Sequence, residues 1–161
     1  MRGGALPPAL LFAALGLALT FAPQRAWVPS LAVLAATAAA LTFAPVPLAW
    51  REGVFLGCWM SAIASAATVH LPKGLGPRAA LALSINAGFW SGAVIALAGS
   101  QLDLLKALPC AFVLLPAAWL VSRRAPIAVK VVSSWLIAVA MLAATLQFLP
   151  VTPGYMPDHM E

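Results

Sequence analysis

Residues 77–99 read PRAALALSINAGFWSGAVIALAG. Beyond Arg78 the stretch carries no charge, and it is long enough to cross a bilayer core, which takes about 20 mostly apolar residues. Small residues recur along it at a helical spacing (Ser84, Gly88, Gly92), and one amide, Asn86, sits about ten residues in. A soluble helix would set a polar face opposite an apolar one. This one is apolar all round, so lipid or protein must surround it.

Five further runs of the same kind flank it, at about 5–22, 28–48, 53–71, 104–121 and 126–149. Each is bounded by charges, Pro or Gly, the usual breakers between periodic segments. The composition agrees: of 161 residues, 63% are apolar and 8% charged, whereas a soluble domain carries about 25% charged residues. A soluble enzyme, a disordered segment and a nucleic-acid binder are thereby excluded. The fold class is an all-α polytopic membrane protein, a bundle of six transmembrane helices over 1–150, with a short tail at 151–161. Short links such as Arg51-Glu52 and Ser122–Ala125 leave no room for a soluble domain and predict antiparallel hairpins.

The charges orient the bundle. Arg25, Lys73, Arg78, Arg123 and Arg124 fall on one side, with no acid among them. Arg2, Arg51 and Lys106 share the other side with all four acids, Glu52, Asp103, Asp158 and Glu161. Cytoplasmic loops concentrate Lys and Arg, so both termini are expected outside, in the inner membrane of a bacterium, an origin the Ala- and Pro-rich composition suggests. A cleaved leader would invert this order, and the only small-residue site near the end of the first run, Ala22, is followed by Pro23; the first run therefore reads as a retained span. Trp27, Trp50 and Trp119 fall at run ends, as interfacial anchors do.

Two signs of internal repetition appear. Leu19-Thr20-Phe21-Ala22-Pro23 recurs as Leu41-Thr42-Phe43-Ala44-Pro45, and the third and sixth runs share a deep Trp, Trp59 and Trp135, followed by a Thr and a closing Pro. A weak 3+3 inverted repeat would produce such a pattern, and many transporters are built that way; similarity by chance among Ala- and Leu-rich helices would produce it too.

The centre of the predicted spans holds no Asp or Glu. Proton-coupled carriers, cation pumps and carboxylate metal sites rest on such an acid, and no hydrolase or metalloprotease motif is present. No catalytic residue and no cofactor is expected. What remains is neutral. Gly57, Ser61 and Ser65 on the third run and Ser84, Gly88 and Gly92 on the fourth form small-residue stripes that let helix backbones approach closely, and they predict that these two runs pack on each other. Asn86 is two residues from both Ser84 and Gly88, so it points away from its own stripe. A midplane amide needs a partner or water. It either bonds a neighbouring helix or, with Ser91, Trp90, Trp59 and Trp135, lines a neutral polar pathway. Pro109 and Pro116 break the fifth run and free carbonyls near Leu105 and Phe112; these serve a solute site or simply accompany a kink. Lys130, four residues past Pro126, reads as a snorkelling side chain or a functional charge. His70 reads as interfacial.

Three functional readings follow. The first is a small permease or channel for a neutral or weakly polar solute. The second is a non-catalytic accessory or assembly subunit that binds a membrane-protein partner or a second copy of itself. The third is soft-metal handling, since Cys58 and Cys110 lie at similar depth and Met156, His159 and Met160 stand in the tail. Thiolate and thioether suit copper(I), yet the spacing is no metal motif and two apolar cysteines explain it equally. The lipid bilayer is the one certain partner; nucleic acid is not expected.

Overall fold

The computed structural model describes residues 5–148, all of them in helices or connecting turns. Seven α-helices build the bundle: α1 Leu6–Leu19, α2 Trp27–Thr42, α3 Arg51–Ala67, α4 Pro77–Ala98, α5 Gln101–Ala107, α6 Leu114–Ser122 and α7 Pro126–Leu146. A 3-10 segment, Leu108–Val113, joins α5 to α6, so these three make up the fifth run. Five of the runs are long and apolar enough to cross a membrane, and α1 is a shorter apolar helix. The chain is thus a multi-pass, all-α membrane protein. The tail at 151–161 lies outside the described residues.

Local sequence explains where each helix starts and stops. Prolines occupy the first turn of α1, α4 and α7, where a missing N–H costs nothing. A capping box opens α5: Asp103 Oδ2 accepts from the Ser100 N–H at 2.8 Å while the Ser100 side chain accepts from the backbone of Asp103. The repeated pentapeptide closes both α1 and α2. Its threonines bond back to their own helices, Thr20 Oγ1 to the Leu17 carbonyl at 2.7 Å and Thr42 Oγ1 to the Ala38 carbonyl at 2.8 Å, and Pro23 or Pro45 follows three residues later. This repeat is therefore a helix stop used twice. It also shortens the second run. Pro45 and Pro47 cannot continue a helix, so α2 ends at Thr42 rather than near 48, and Arg51 and Glu52 are the first turn of α3 rather than a link.

The helix α1 is central. At about 1.5 Å per residue it is only about 21 Å long, short of the about 30 Å hydrocarbon core. Its neighbours shield it: Leu11, Phe12, Leu15, Ala18 and Leu19 are fully buried, and it packs on α3, α4, the 3-10 segment, α5, α6 and α7. A helix apolar on all sides belongs in such a position. By contrast α2 packs chiefly on α4 and buries one stripe, Ser30, Leu34 and Ala38. The hairpin that the Arg51-Glu52 link predicts between the second and third runs is accordingly not a main contact. The pair formed by α3 and α4 does pack together, as do α6 and α7.

One end of the bundle collects the basic loops. The Leu75 N–H donates to the Phe21 carbonyl at 3.0 Å, tying the turn after α3 to the turn after α1. Between them Gly74 adopts φ +67, and an added Cβ would lie 2.9 Å from the Phe21 oxygen; only glycine suits both demands. The start of α7 is brought to the same end by Ser133, whose Oγ donates to the Ala66 carbonyl at 2.7 Å. The turn into α7 uses Arg124 at φ 61, a conformation costly for a residue with a Cβ.

Candidate functional site

The polar core of the bundle lies between α3 and α4. Asn86 is on α4 at the level of Ser61 on α3. Its Nδ2 donates to Ser61 Oγ, and its Oδ1 accepts from Trp90 Nε1 at 3.1 Å, one turn along the same helix. Asn86 and Trp90 are half-buried and Ser61 is buried. The Trp90 ring lies flat over Gly57, so closely that a methyl group there would overlap it. Gly57 is thus the space into which the indole fits, and Ser61 one turn later supplies the acceptor for the amide. The lower stretch of the same α3 stripe, Ser65, is fully buried, and its hydroxyl has no hydrogen-bond partner among the described residues.

The stripe on α4 faces elsewhere. A Cβ on Gly88 would lie 2.9 Å from the Leu34 oxygen, and one on Gly92 would lie 2.6 Å from the Ala38 oxygen, both on α2. Ser84 is buried and bonds its own Ala80 carbonyl at 2.9 Å. The small-residue stripe of α4 therefore seats α2, not α3. Asn86 does point away from that stripe, as its spacing requires, and because α4 is sandwiched between two helices this direction leads to α3.

The other residues of the proposed pathway do not converge on Asn86. Ser91 is buried, and its hydroxyl bonds the Ala87 and Gly88 carbonyls of its own helix at 2.7 and 3.1 Å. Trp59 is buried at 5% exposure, whereas Trp135 is 62% exposed and faces outward from α7. The resemblance between the third and sixth runs therefore does not extend to the surroundings of their tryptophans. Pro109 and Pro116 both lie on the outer surface. The run is interrupted there: Leu108–Val113, which contains Pro109, is 3-10, Pro116 lies in the first turn of α6, and the inner side of this stretch approaches α1 so closely that a Cβ on Gly16 would lie 2.7 Å from the Ala111 oxygen and 3.3 Å from the Leu114 nitrogen. Gly16 is the residue that sequence reasoning missed. It lies in a run without periodicity, and its only signal is being the one glycine within an Ala- and Leu-rich stretch.

Cys58 is buried on α3 and Cys110 half-buried in the 3-10 segment, both as free thiols. Among the described residues no three of His, Cys, Asp and Glu come together; Met156, His159 and Met160 lie outside them. Of the anchor tryptophans, Trp27 Nε1 donates to the Ala22 carbonyl at 3.2 Å, and the Arg123 guanidinium carbon stands 5.3 Å from the centre of the exposed Trp119 ring, a cation–π pair at the basic end.

This arrangement defines a polytopic helical membrane protein whose central amide is occupied by contacts within the chain. No family model matches it, nor does any curated protein or solved structure.

Proposed function

We propose that the chain is a non-catalytic membrane subunit, whose interior polar groups hold its own helices together and whose outer surface meets the helices of a partner. The observation that carries this reading is Asn86. One of its N–H groups donates to Ser61 and its oxygen accepts from Trp90, so the amide near mid-span is directed at the chain's own side chains. The outward Trp135 supports it as well. It stands nine residues into α7, about 13 Å from Pro126, deeper than the interfacial belt where tryptophan settles in lipid, and a facing protein helix can accept from its N–H. The Ala- and Pro-rich composition supports a bacterial inner membrane, and the charge distribution supports a cytoplasmic basic end with both termini outside.

A second reading, a permease for a neutral solute, draws on the packing order. The second run packs on the fourth, and the fifth packs on the first. A 3+3 inverted repeat exchanges these two pairs, and transporters so built place a broken helix at the repeat interface. Against it, α3 packs on α1 while α7 takes α3 rather than α4 as its main neighbour.

Purification in mild detergent and reconstitution in liposomes separate the two. The subunit reading expects a partner polypeptide at fixed stoichiometry and no flux of neutral solutes by the chain alone. Flux through the purified chain, abolished by Asn86→Leu in a variant that keeps its fold, would overturn it in favour of the permease.

A further inference from the structure

At the basic end, the turn after α3 and the helix α7 bring His70 and Ser134 together on the outward surface, with Lys130 one turn away along α7. His70 closes the 3-10 turn Thr68–His70 that follows α3. Ser134 Oγ lies 3.4 Å from His70 Nε2. Lys130 is four residues before Ser134 on α7, and so on the same helix face. All three are exposed, although all three fall within apolar runs.

Two observations set this cluster apart. The first is the direction of the serine. Thr37, Thr42, Ser84, Ser91, Ser122 and Thr145 all turn their hydroxyls back to a carbonyl of their own helix, the usual way to satisfy a hydroxyl in lipid. Ser134 instead reaches across to another element, as the buried Ser133 beside it does, but to an exposed side chain rather than to a backbone carbonyl. The second is charge. Of the carboxylates among the described residues, Glu52 opens α3 and Asp103 caps α5, both at the opposite end of the bundle, and Asp103 pairs with Lys106 at 3.4 Å. Lys130 therefore has no carboxylate at its own end among the described residues, while Lys73, Arg123 and Arg124 stand nearby in sequence to His70 and to the start of α7. An ammonium inside an apolar band needs a counter-ion. Lys130 is about 6 Å along α7 from Pro126, a depth from which its stem reaches the headgroup layer.

We propose that Lys130, Ser134 and His70 form a binding site for the phosphate of an anionic phospholipid, with its acyl chains lying along the α3–α7 seam. The lysine supplies charge, and the serine and the imidazole supply short-range hydrogen bonds. The cluster offers no carboxylate to a choline or ethanolamine ammonium, so it favours headgroups that carry net negative charge. The site is independent of whether the chain is a subunit or a permease.

Native mass spectrometry of the full chain in neutral detergent, with phosphatidylglycerol or phosphatidylcholine added, tests the proposal. The expected result is preferential retention of phosphatidylglycerol, reduced about fivefold by Lys130→Gln, reduced further when Ser134→Ala is added, and kept by Lys130→Arg. Arg25→Gln, a change of the same charge in the 3-10 turn before α2, leaves retention unchanged, and circular dichroism of each variant confirms its helices. Equal retention of the two lipids, or undiminished retention by the Lys130→Gln, Ser134→Ala double variant, overturns the site. So does occupation of this surface by inorganic phosphate in place of lipid, or by an acidic segment of a copurifying polypeptide.

Discussion

Two close approaches hold this bundle together, and they are built differently. Where α2 lies on α4, two straight helices meet through small residues one turn apart, Gly88 and Gly92 against Leu34, Thr37, Ala38 and Leu41. Where the fifth run lies on α1, a single glycine, Gly16, meets the backbone of a 3-10 segment that contains Pro109 and leads into α6. In lipid there is no hydrophobic drive to pull helices together, so both contacts rest on backbone proximity and van der Waals packing. They differ in what depends on them. The helix α2 is peripheral and attached by one stripe, whereas α1 is buried over most of its surface and packs on at least six other elements. Damage to the first loosens one helix; damage to the second opens the centre.

The strongest way to break the comparison is therefore Gly16→Leu. The added side chain meets backbone atoms that cannot rotate away, and a loss of about 3 kcal/mol or more is expected, the upper range for overpacking a core. Unfolding in mixed micelles of detergent and SDS should show a single cooperative transition shifted as a whole. Gly92→Leu, which also meets backbone, should cost about 2 kcal/mol, but locally. A cysteine placed at Ser30 on the buried face of α2 should become accessible to a maleimide while one at Leu15 on α1 stays protected. If the two variants unfold the bundle equally, α2 is not peripheral.

The contrast can also be sharpened in the stabilising direction. Ser30 is fully buried against α4, and its hydroxyl has no hydrogen-bond partner among the described residues. Replacing such a group by an apolar one of similar shape removes a desolvation cost, so Ser30→Ala should raise stability by about 1 kcal/mol. A similar gain of about 1 kcal/mol is expected for Arg124→Gly, which relieves the left-handed conformation in the turn before α7. Both are read as upward shifts of the same unfolding midpoint; a loss in either would mean that an unrecognised contact is being removed.

How much of this was legible in the sequence follows from what lipid does to sequence signals. The spans were legible because length and hydropathy are what a bilayer selects. The stripes at Gly57 and Gly88 were legible as close-packing surfaces, but periodicity names a face and not the neighbour that covers it. Hence the α4 stripe was assigned to α3 when it seats α2, and Asn86, correctly turned from that stripe, was not placed against Ser61. Sequence position alone suggests an inward Trp135, Pro109 and Pro116, because depth along a helix is readable and direction is not. The lipid-facing and protein-facing sides of a membrane helix are both apolar, so an outward tryptophan leaves no mark. The end of α2 at Thr42 was legible in Pro45 and Pro47 but was overridden by the apolar run that continues past them.

The central claim is that the mid-span amide serves the bundle itself. A double-mutant cycle between Asn86→Ala and Ser61→Ala, measured by unfolding in bicelles, tests it most directly. A coupling of about 0.6 kcal/mol or more, the scale of interhelical hydrogen bonds in membranes, is predicted; two losses that simply add would contradict it and return Asn86 to the solute.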